Sequence, residues 1–191
     1  MFDPAYLPML FAFTTDGSHL DEPSLDPRYH FQFWRPGPFR IIPPGTSYKF
    51  ACWWLAHYLR IFRAPGYMVL YVMHKERIVH RTCILPGIFR WSFIGAQDLH
   101  IFATWTEPEY RGQGLAVAAL REAIVRTRKP GRRYWYIARE ENEPSIRVCR
   151  KASFQFAGFC ARKRRLGFRL RDQFILTDAR VPDVGNTQDV R

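Results

Sequence analysis

Short apolar runs separated by polar turns follow one another along most of this 191-residue chain, and they predict a series of β-strands. Two of these runs flank the charged turn His74-Lys75-Glu76 and predict a hairpin. Aromatic and β-branched residues, which favour strands, dominate the run that ends before Glu107-Pro108. The predicted strands are residues 29–34, 67–73, 77–84, 100–106, 134–138, a strand resuming at Phe154, and 168–176.

Three other segments have apolar residues three or four positions apart, a spacing that predicts amphipathic helices. The first spans residues 47–62. The second begins at Leu115 and stops at Lys129-Pro130-Gly131, because proline and glycine end a helix. The third opens at Asn142, a residue type that caps helix N-termini.

A glycine-rich loop joins the predicted strand 100–106 to the helix at Leu115. It reads Glu109-Tyr110-Arg111-Gly112-Gln113-Gly114. Glycines let the backbone turn tightly and bring N–H groups against phosphate oxygens, and the helix that follows adds the positive end of its dipole. Two glycines alone are a weak signal, since surface loops often contain them. The position between a strand and a helix favours a pyrophosphate cradle.

The length of the chain favours a single domain with one core, and 47% of its residues are hydrophobic. We expect an N-terminal arm at residues 1–45 that holds the first strand, a core at 46–177 and a C-terminal tail at 178–191. No run approaches the ~20 apolar residues of a membrane span. The opening Met1-Phe2-Asp3-Pro4 lacks the basic start of a secretory signal, which predicts a cytoplasmic protein.

The four cysteines are widely scattered and predict ordinary reduced thiols. Cys52, Cys83, Cys149 and Cys160 form no Cys-x-x-Cys pair, and no histidine lies at metal-ligand spacing from any of them. We therefore expect no metal site.

The glycine loop carries the first of two motifs that resemble the GCN5-related N-acetyltransferases, the GNAT family. The family pattern Arg-x-x-Gly-x-Gly/Ala is met by Arg111, Gly114 and Ala116. The usual Pro-x-Tyr precedes it at residues 108–110.

The second motif follows one helix and one strand later, in the order that the family has. In the family, an Asn opens a helix that runs into Lys-x-Gly-Phe. The matching residues here are Asn142, Lys151 and Phe154, and Ser153 stands where Gly is usual. The resemblance covers roughly residues 67–177. It implies an α+β (α/β) GNAT fold, in which a central mixed, mostly antiparallel sheet has a V-shaped split and is flanked by helices.

The resemblance also implies where the co-substrate acetyl-CoA binds. Its pantetheine arm pairs with the strand before the loop, here the backbone of Thr104, Trp105 and Thr106. The pyrophosphate meets Arg111, Gly112, Gln113, Gly114, Leu115 and Ala116. Asn142 stands where the family's Asn hydrogen-bonds the arm.

Three residues are candidates for the general base. Strand alternation predicts that Asp98, His100, Phe102 and Thr104 share one face, and family members with a carboxylate base carry it near Asp98. His80 on the preceding strand is a further candidate. The alternative is that Asp98 only ends a turn and His100 is a satisfied histidine without a chemical role.

At the position where many family members carry their general acid, this chain has a different residue. Many family members carry a Tyr seven residues after the Asn, and this chain has Cys149 there. A buried Cys usually only packs. We therefore expect water, or unassisted departure of the thiolate, instead of a side chain from that helix.

The acceptor is predicted to be a primary amine of a small molecule. Within the family, the chain looks most like bacterial members of surface-polysaccharide biosynthesis, which implies an amino group on a nucleotide-linked sugar. The residues that carry this similarity are Thr106, Pro108, Tyr110, Arg111, Gly112, Asn142, Ser145, Ile146 and Arg147.

The formal net charge of +12 would suit an anionic partner. Basic residues concentrate at 126–133 and 162–171, and such runs are most often solvated surface. Otherwise they would bind the 3′-phosphate of coenzyme A, an anionic acceptor or nucleic acid. The alternative function is accordingly a basic GNAT-like protein that acts on or binds nucleic acid such as tRNA. A homodimer is compatible with the sequence.

Overall fold

The apolar runs of the sequence assemble into one mixed, mostly antiparallel sheet, as predicted. The computed structural model describes residues 10–18, 20, 22–62, 64–163 and 173–178. These residues form eight strands and three α-helices: β1 Leu10–Thr15, β2 Tyr29–Trp34, α1 Ala51–Tyr58, β3 Met68–His74, β4 Arg77–Pro86, β5 Leu99–Thr106, α2 Leu115–Thr127, β6 Tyr134–Arg139, α3 Glu143–Lys151, β7 Gln155–Lys163 and β8 Gln173–Thr177. The strand order across the sheet is β2-β3-β4-β5-β6-β1-β7-β8.

The sheet splits between β5 and β6. These two strands are parallel and pair over only three positions, Leu99 with Tyr134, His100 with Trp135 and Ile101 with Tyr136. Beyond that apex β5 stays paired with β4, and β6 stays paired with β1. The two inner edges therefore diverge, and this is the V-shaped split that the resemblance implies.

β1 is not predicted from the sequence, in which only residues 29–34 have the alternation of a strand within the first 45. β1 pairs antiparallel with β6 on one side and with β7 on the other. Ala12 and Phe13 are fully buried, on opposite faces of the sheet. A strand buried on both faces reads as a plain apolar run without alternation, which periodicity cannot identify.

Apolar side chains cover both faces of the sheet. On the α2 face, which carries α2 and α3, the core includes Leu70, Ile84, Ile101, Leu120 and Ile124, all fully buried. Each such side chain contributes about 1.5–3 kcal/mol of burial free energy. On the opposite α1 face, α1 and the loop between β4 and β5 pack over the sheet with the fully buried side chains of Val69, Cys83 and Ile94.

Two predicted elements differ in length from the observed ones. The helix predicted at 47–62 is a 3-10 turn, Tyr48–Phe50, followed by the shorter α1. The last strand is Gln173–Thr177 instead of 168–176. Residues 168–172 lie outside the described part of the chain. Most of the basic segment 162–171 and most of the tail also lie outside it.

In the ranges that the structure describes, no helix is long and apolar enough to cross a membrane.

Helix α3 ends in a Schellman motif at Ser153, the position where the family pattern has Gly. The Ser153 N–H donates to Arg150 O at 3.1 Å, and the Phe154 N–H donates to Cys149 O at 3.0 Å. Ser153 has φ +63°, in the left-handed region that favours glycine. The motif is thus intact, with serine in a strained conformation.

Replacing Ser153 with Gly should stabilise the protein by about 0.5–1 kcal/mol, because the left-handed conformation costs an L-residue more than glycine loses in chain entropy. Denaturant unfolding of both proteins measures the difference. Ala152→Gly is the matched control: Ala152 has φ −90°, so glycine there should lower stability. A destabilised Ser153→Gly variant would contradict this account.

Candidate active site

The glycine loop presents unpaired backbone N–H groups at the start of α2. Gly112 and Gly114 have φ +80° and +77°, and a Cβ built on either would meet nothing within 4 Å. No described residue accepts a hydrogen bond from the N–H groups of residues 112–116. Glycine conformation, open space and a helix N-terminus together fit an approaching phosphate group.

Side chains from β2 and β3 hold this loop in place. The Tyr29 hydroxyl donates to Gln113 Oε1 at 2.6 Å, and His74 Nδ1 and the Tyr110 hydroxyl are 2.9 Å apart. Arg111 Nε donates to the Thr106 carbonyl at 3.2 Å, while the guanidinium stays exposed at the loop. The Gln113 side chain therefore braces the fold, and Arg111 is the cation nearest the cradle in sequence.

β5 contains a bulge that changes which side chains share a face. Between Arg81 and Cys83 of β4, β5 runs from Phe102 to Trp105 and so carries one extra residue. Ala103, at the bulge, has φ +49°. Thr104 consequently lies on the α2 face, so the prediction that it shares a face with His100 and Phe102 was wrong.

Past the apex, the backbone of Phe102–Thr106 has no partner strand on the β6 side. Thr104 Oγ1 is buried there, and no described group hydrogen-bonds it. Buried backbone and hydroxyl groups without partners are costly. The edge that includes Thr104, Trp105 and Thr106 therefore fits an amide-bearing arm laid along it as an added strand.

Asp98 lies at the closed end of the β5–β6 pair. Its carboxylate accepts hydrogen bonds from the N–H groups of Gly95 and Arg133 at 2.9 and 3.0 Å, and from the Trp135 indole at 3.0 Å. These bonds tie the loop before β5 to the start of β6. The geometry therefore gives Asp98 a structural role and does not support its prediction as the base.

His80 is fully buried on the α2 face. Its Nδ1 is 2.7 Å from Thr106 Oγ1 and its Nε2 is 2.8 Å from Thr82 Oγ1. Burial lowers the pKa of His80 to about 3, with a smaller contribution from Arg81. Because both ring nitrogens are occupied, His80 links β4 to β5 and has no free position for a substrate.

His100 is the one predicted base with a free ring nitrogen among the described contacts. It lies on the α1 face, directly before the apex residue Ile101. Its ring stacks on Phe102 at 5.5 Å and meets Trp91 edge-on at 5.9 Å. Nε2 is buried without a hydrogen-bond partner, and burial lowers the pKa of His100 to about 4.

Asn142 and Cys149 lie on α3, above β6. Asn142 caps the helix, since its Oδ1 accepts from the Ser145 N–H at 3.3 Å, and the residue is exposed at the rim of the split. Cys149 is fully buried in the core, where burial raises the pKa of its thiol to about 12. The thiol at the usual Tyr position therefore packs.

Two residues near the split are not predicted as site residues from the sequence. The Arg81 guanidinium lies 4.9 Å from the Trp105 ring on the α1 face. Its Nη1 donates to the Gly45 carbonyl, and its Nε is buried without a described partner. Tyr136, the last β6 residue paired with β5, places its hydroxyl beside Thr104 and Ser145. Neither belongs to a motif, and only the pairing of β4, β5 and β6 brings them to the site.

No cluster of metal-ligating side chains occurs in the described ranges.

The sequence matches the model of the acetyltransferase (GNAT) family over residues 33–154, more than half of the chain. The chain belongs to this family. The match includes α1, the hairpin, the split, the glycine loop and α3, whereas β1 precedes it and β7 and β8 follow it. A search of curated proteins gives no significant match.

Solved structures share the fold at low sequence identity. An acetyltransferase of the GNAT family from Colwellia psychrerythraea has a TM-score of 0.54 at 11% identity, over 79% of this chain and 53% of that one. A conserved protein of unknown function from Staphylococcus epidermidis has a TM-score of 0.52 at 14% identity, over 80% and 59%. A tandem GNAT protein from the clavulanic acid biosynthesis pathway has 0.52 at 15%, over 78% and 50%. This chain thus spans between half and three fifths of these proteins.

Replacing Gly114 with Ala should lower affinity for acetyl-CoA by about tenfold or more, because a Cβ enters the space that an anion needs to reach the N–H groups. Calorimetric titration measures the affinity. Gly131→Ala is the matched control, with φ +71° at the far end of α2 and only the end of the flexible Gln97 side chain nearby. Equal affinities of the two variants would exclude the loop as the phosphate site.

Proposed function

We propose that this chain transfers an acetyl group from acetyl-CoA to a primary amine of a small molecule. The observation that carries the proposal is the continuity between two features: the unpaired edge of β5 runs from the apex of the split directly into the open glycine loop. A pyrophosphate at residues 111–116 and an arm along Thr104, Trp105 and Thr106 would place the thioester near the apex. Asn142, at the opposite rim, has an amide nitrogen available to the arm. Acetyl-CoA of the cytoplasm would be the source of the acetyl group.

The proposed base is His100, whose free Nε2 lies next to the apex on the α1 face. Its pKa of about 4 means that His100 is neutral throughout the neutral pH range and can accept a proton. Only a strongly acidic donor, such as the nitrogen of the amine after it has added to the carbonyl, would transfer a proton to so weak a base. The acceptor must therefore bind as the free amine, and turnover should rise with pH until that amine is deprotonated.

His100→Gln should lower kcat by about 10²-fold or more at neutral pH, because the variant keeps the side-chain size but lacks a proton acceptor of this kind. The pH–rate profile of acetyl transfer measures the loss. Asp98→Asn is the comparison: it disturbs one of three hydrogen bonds, so it should lower the unfolding free energy without changing the shape of the profile. If Asp98→Asn changed the pH–rate profile and His100→Gln did not, Asp98 would be the base instead of His100.

We propose a nucleotide-linked amino sugar as the acceptor, in surface-polysaccharide biosynthesis. Arg81 and Trp105 support this proposal, since they lie together on the α1 face, the face that also carries His100. Arg81 Nη1 donates to the Gly45 carbonyl, whereas its Nε is buried without a described partner and suits a phosphate oxygen. The Trp105 indole offers a stacking surface.

Thiol release from acetyl-CoA, followed over a panel of amines, tests the acceptor. The panel contains a nucleotide-linked amino sugar, the same free amino sugar, polyamines, amino acids and peptides, and we expect the nucleotide-linked sugar to have the lowest KM. Arg81→Met should raise that KM about tenfold or more and leave the KM of the free sugar unchanged. A KM that rises equally for both sugars would remove Arg81 from phosphate recognition.

The alternative of nucleic-acid binding receives little support from the basic cluster that the structure describes. Arg126 pairs with Glu122, and Arg128 donates to the Gly17 carbonyl. Arg132, almost fully buried, donates to the carbonyls of Gln97 and Thr127. These three guanidinium groups already have partners within the fold, so they do not form a free basic surface.

A further inference from the structure

Tyr136 occupies the apex of the split from the side opposite to His100. It is the last β6 residue that pairs with β5, and its ring belongs to the core of the α2 face, where it meets Phe154 edge-on at 6.3 Å. The glycine loop and the start of α2 lie on the same face. An arm that follows β5 down from this loop therefore reaches the apex on the Tyr136 side.

The Tyr136 hydroxyl lies beside the unpaired edge of β5. Its neighbours are the hydroxyls of Thr104, on the unpaired edge of β5, and of Ser145, in the first turn of α3. Thr104 Oγ1 is buried and makes no hydrogen bond of good geometry with a described residue, so the Tyr136 hydroxyl is its neighbour and not its partner. The phenol and the two hydroxyls thus form a polar cluster on the α2 face, where β5, β6 and the first turn of α3 meet.

Burial is the largest influence on this phenol and raises the pKa of Tyr136, while Thr104 and Ser145 offset part of the rise. Tyr136 therefore keeps its proton at neutral pH. A proton donor at the apex matters because a thiolate leaves from there, and the family's usual donor position on α3 holds Cys149. That thiol is fully buried and packs within the same core as Tyr136.

We propose that the Tyr136 hydroxyl is the general acid of acetyl transfer, so that β6 supplies the group that α3 lacks. The inference rests on the proposed function. As the amine nitrogen bonds to the carbonyl carbon, the C–S bond breaks and its electron pair stays on sulfur. Sulfur takes the Tyr136 proton and leaves as the free thiol. The nitrogen loses its proton to His100, and water returns a proton from His100 to the Tyr136 phenolate.

Tyr136→Phe tests this role, since the ring and its packing remain and only the hydroxyl is lost. We expect kcat to fall by about 10²–10⁴-fold, while the dissociation constant of acetyl-CoA changes by less than about twofold. Stopped thiol-release assays give kcat, and calorimetry gives the dissociation constant. Denaturant unfolding verifies that the variant is folded.

Tyr134→Phe is the matched control on the same strand. Its buried hydroxyl donates to the Ile124 carbonyl at 3.1 Å and lies 3.2 Å from Thr127 Oγ1, at the closed end of the β5–β6 pair. Losing this hydroxyl should lower stability by about 1 kcal/mol and leave kcat within about twofold of wild type.

The outcomes separate this inference from the proposed function. An unchanged kcat in Tyr136→Phe, with an active wild type, overturns Tyr136 as the acid and leaves acetyl transfer standing. A weaker binding of acetyl-CoA that accounts for the whole loss also overturns it, since the hydroxyl would then only hold the arm. A wild type that binds acetyl-CoA but acetylates none of the amines overturns the proposed function and this inference together.

Discussion

The short parallel ladder between β5 and β6 is the constraint on which the rest of the site depends. Three residue pairs join the two strands, and the last of them is Ile101 with Tyr136. Each strand keeps a full antiparallel partner on its other edge, so the sheet remains continuous although its middle opens. The backbone groups exposed in the opening are strong hydrogen-bonding groups without partners on that side, and a ligand with amide groups can satisfy them.

β1 supplies the strand pairing that β6 lacks on the side of the opening. Without β1, β6 would have only the short ladder with β5 and would lie at a second open edge. With β1 between β6 and β7, all six residues of β6 are paired on that side, and the fully buried Phe13 joins the α2-face core. An element that precedes the family match thus supports the strand that forms one arm of the split.

The electrostatic arrangement separates neutral groups at the apex from cations at the rim. His100 and Tyr136 lie on opposite faces of the apex, and burial keeps both uncharged at neutral pH, one by lowering its pKa and the other by raising it. Arg111 stands at the glycine loop and Arg81 on the α1 face. In the proposed function, phosphates would be bound at the rim, and the reaction would take place at the apex, in a buried, uncharged environment in which hydrogen bonds are strong.

The sequence by itself determined the elements whose signals are local. The hairpin around Lys75 and Glu76, the strand before the glycine loop, and α2 with its glycine-rich start follow from periodicity and from glycine, proline and capping chemistry. Ser153 could be flagged from the motif alone, and the structure shows why glycine is usual there. The mixed, mostly antiparallel sheet followed from the resemblance that these signals carry.

Only the tertiary structure decided which side chains lie at the apex and what they contact. The extra residue at Ala103 moves Thr104 to the other face of the sheet. The residue types along β5 do not indicate this bulge. The same aspartate could be a base or a structural acceptor until the N–H groups of Gly95 and Arg133 were placed around it. Pairing with strands distant in the chain places β1 and Tyr136 beside the split. Sequence patterns record local conformation, whereas a site formed by non-adjacent strands depends on register, and register is fixed only when the sheet has assembled.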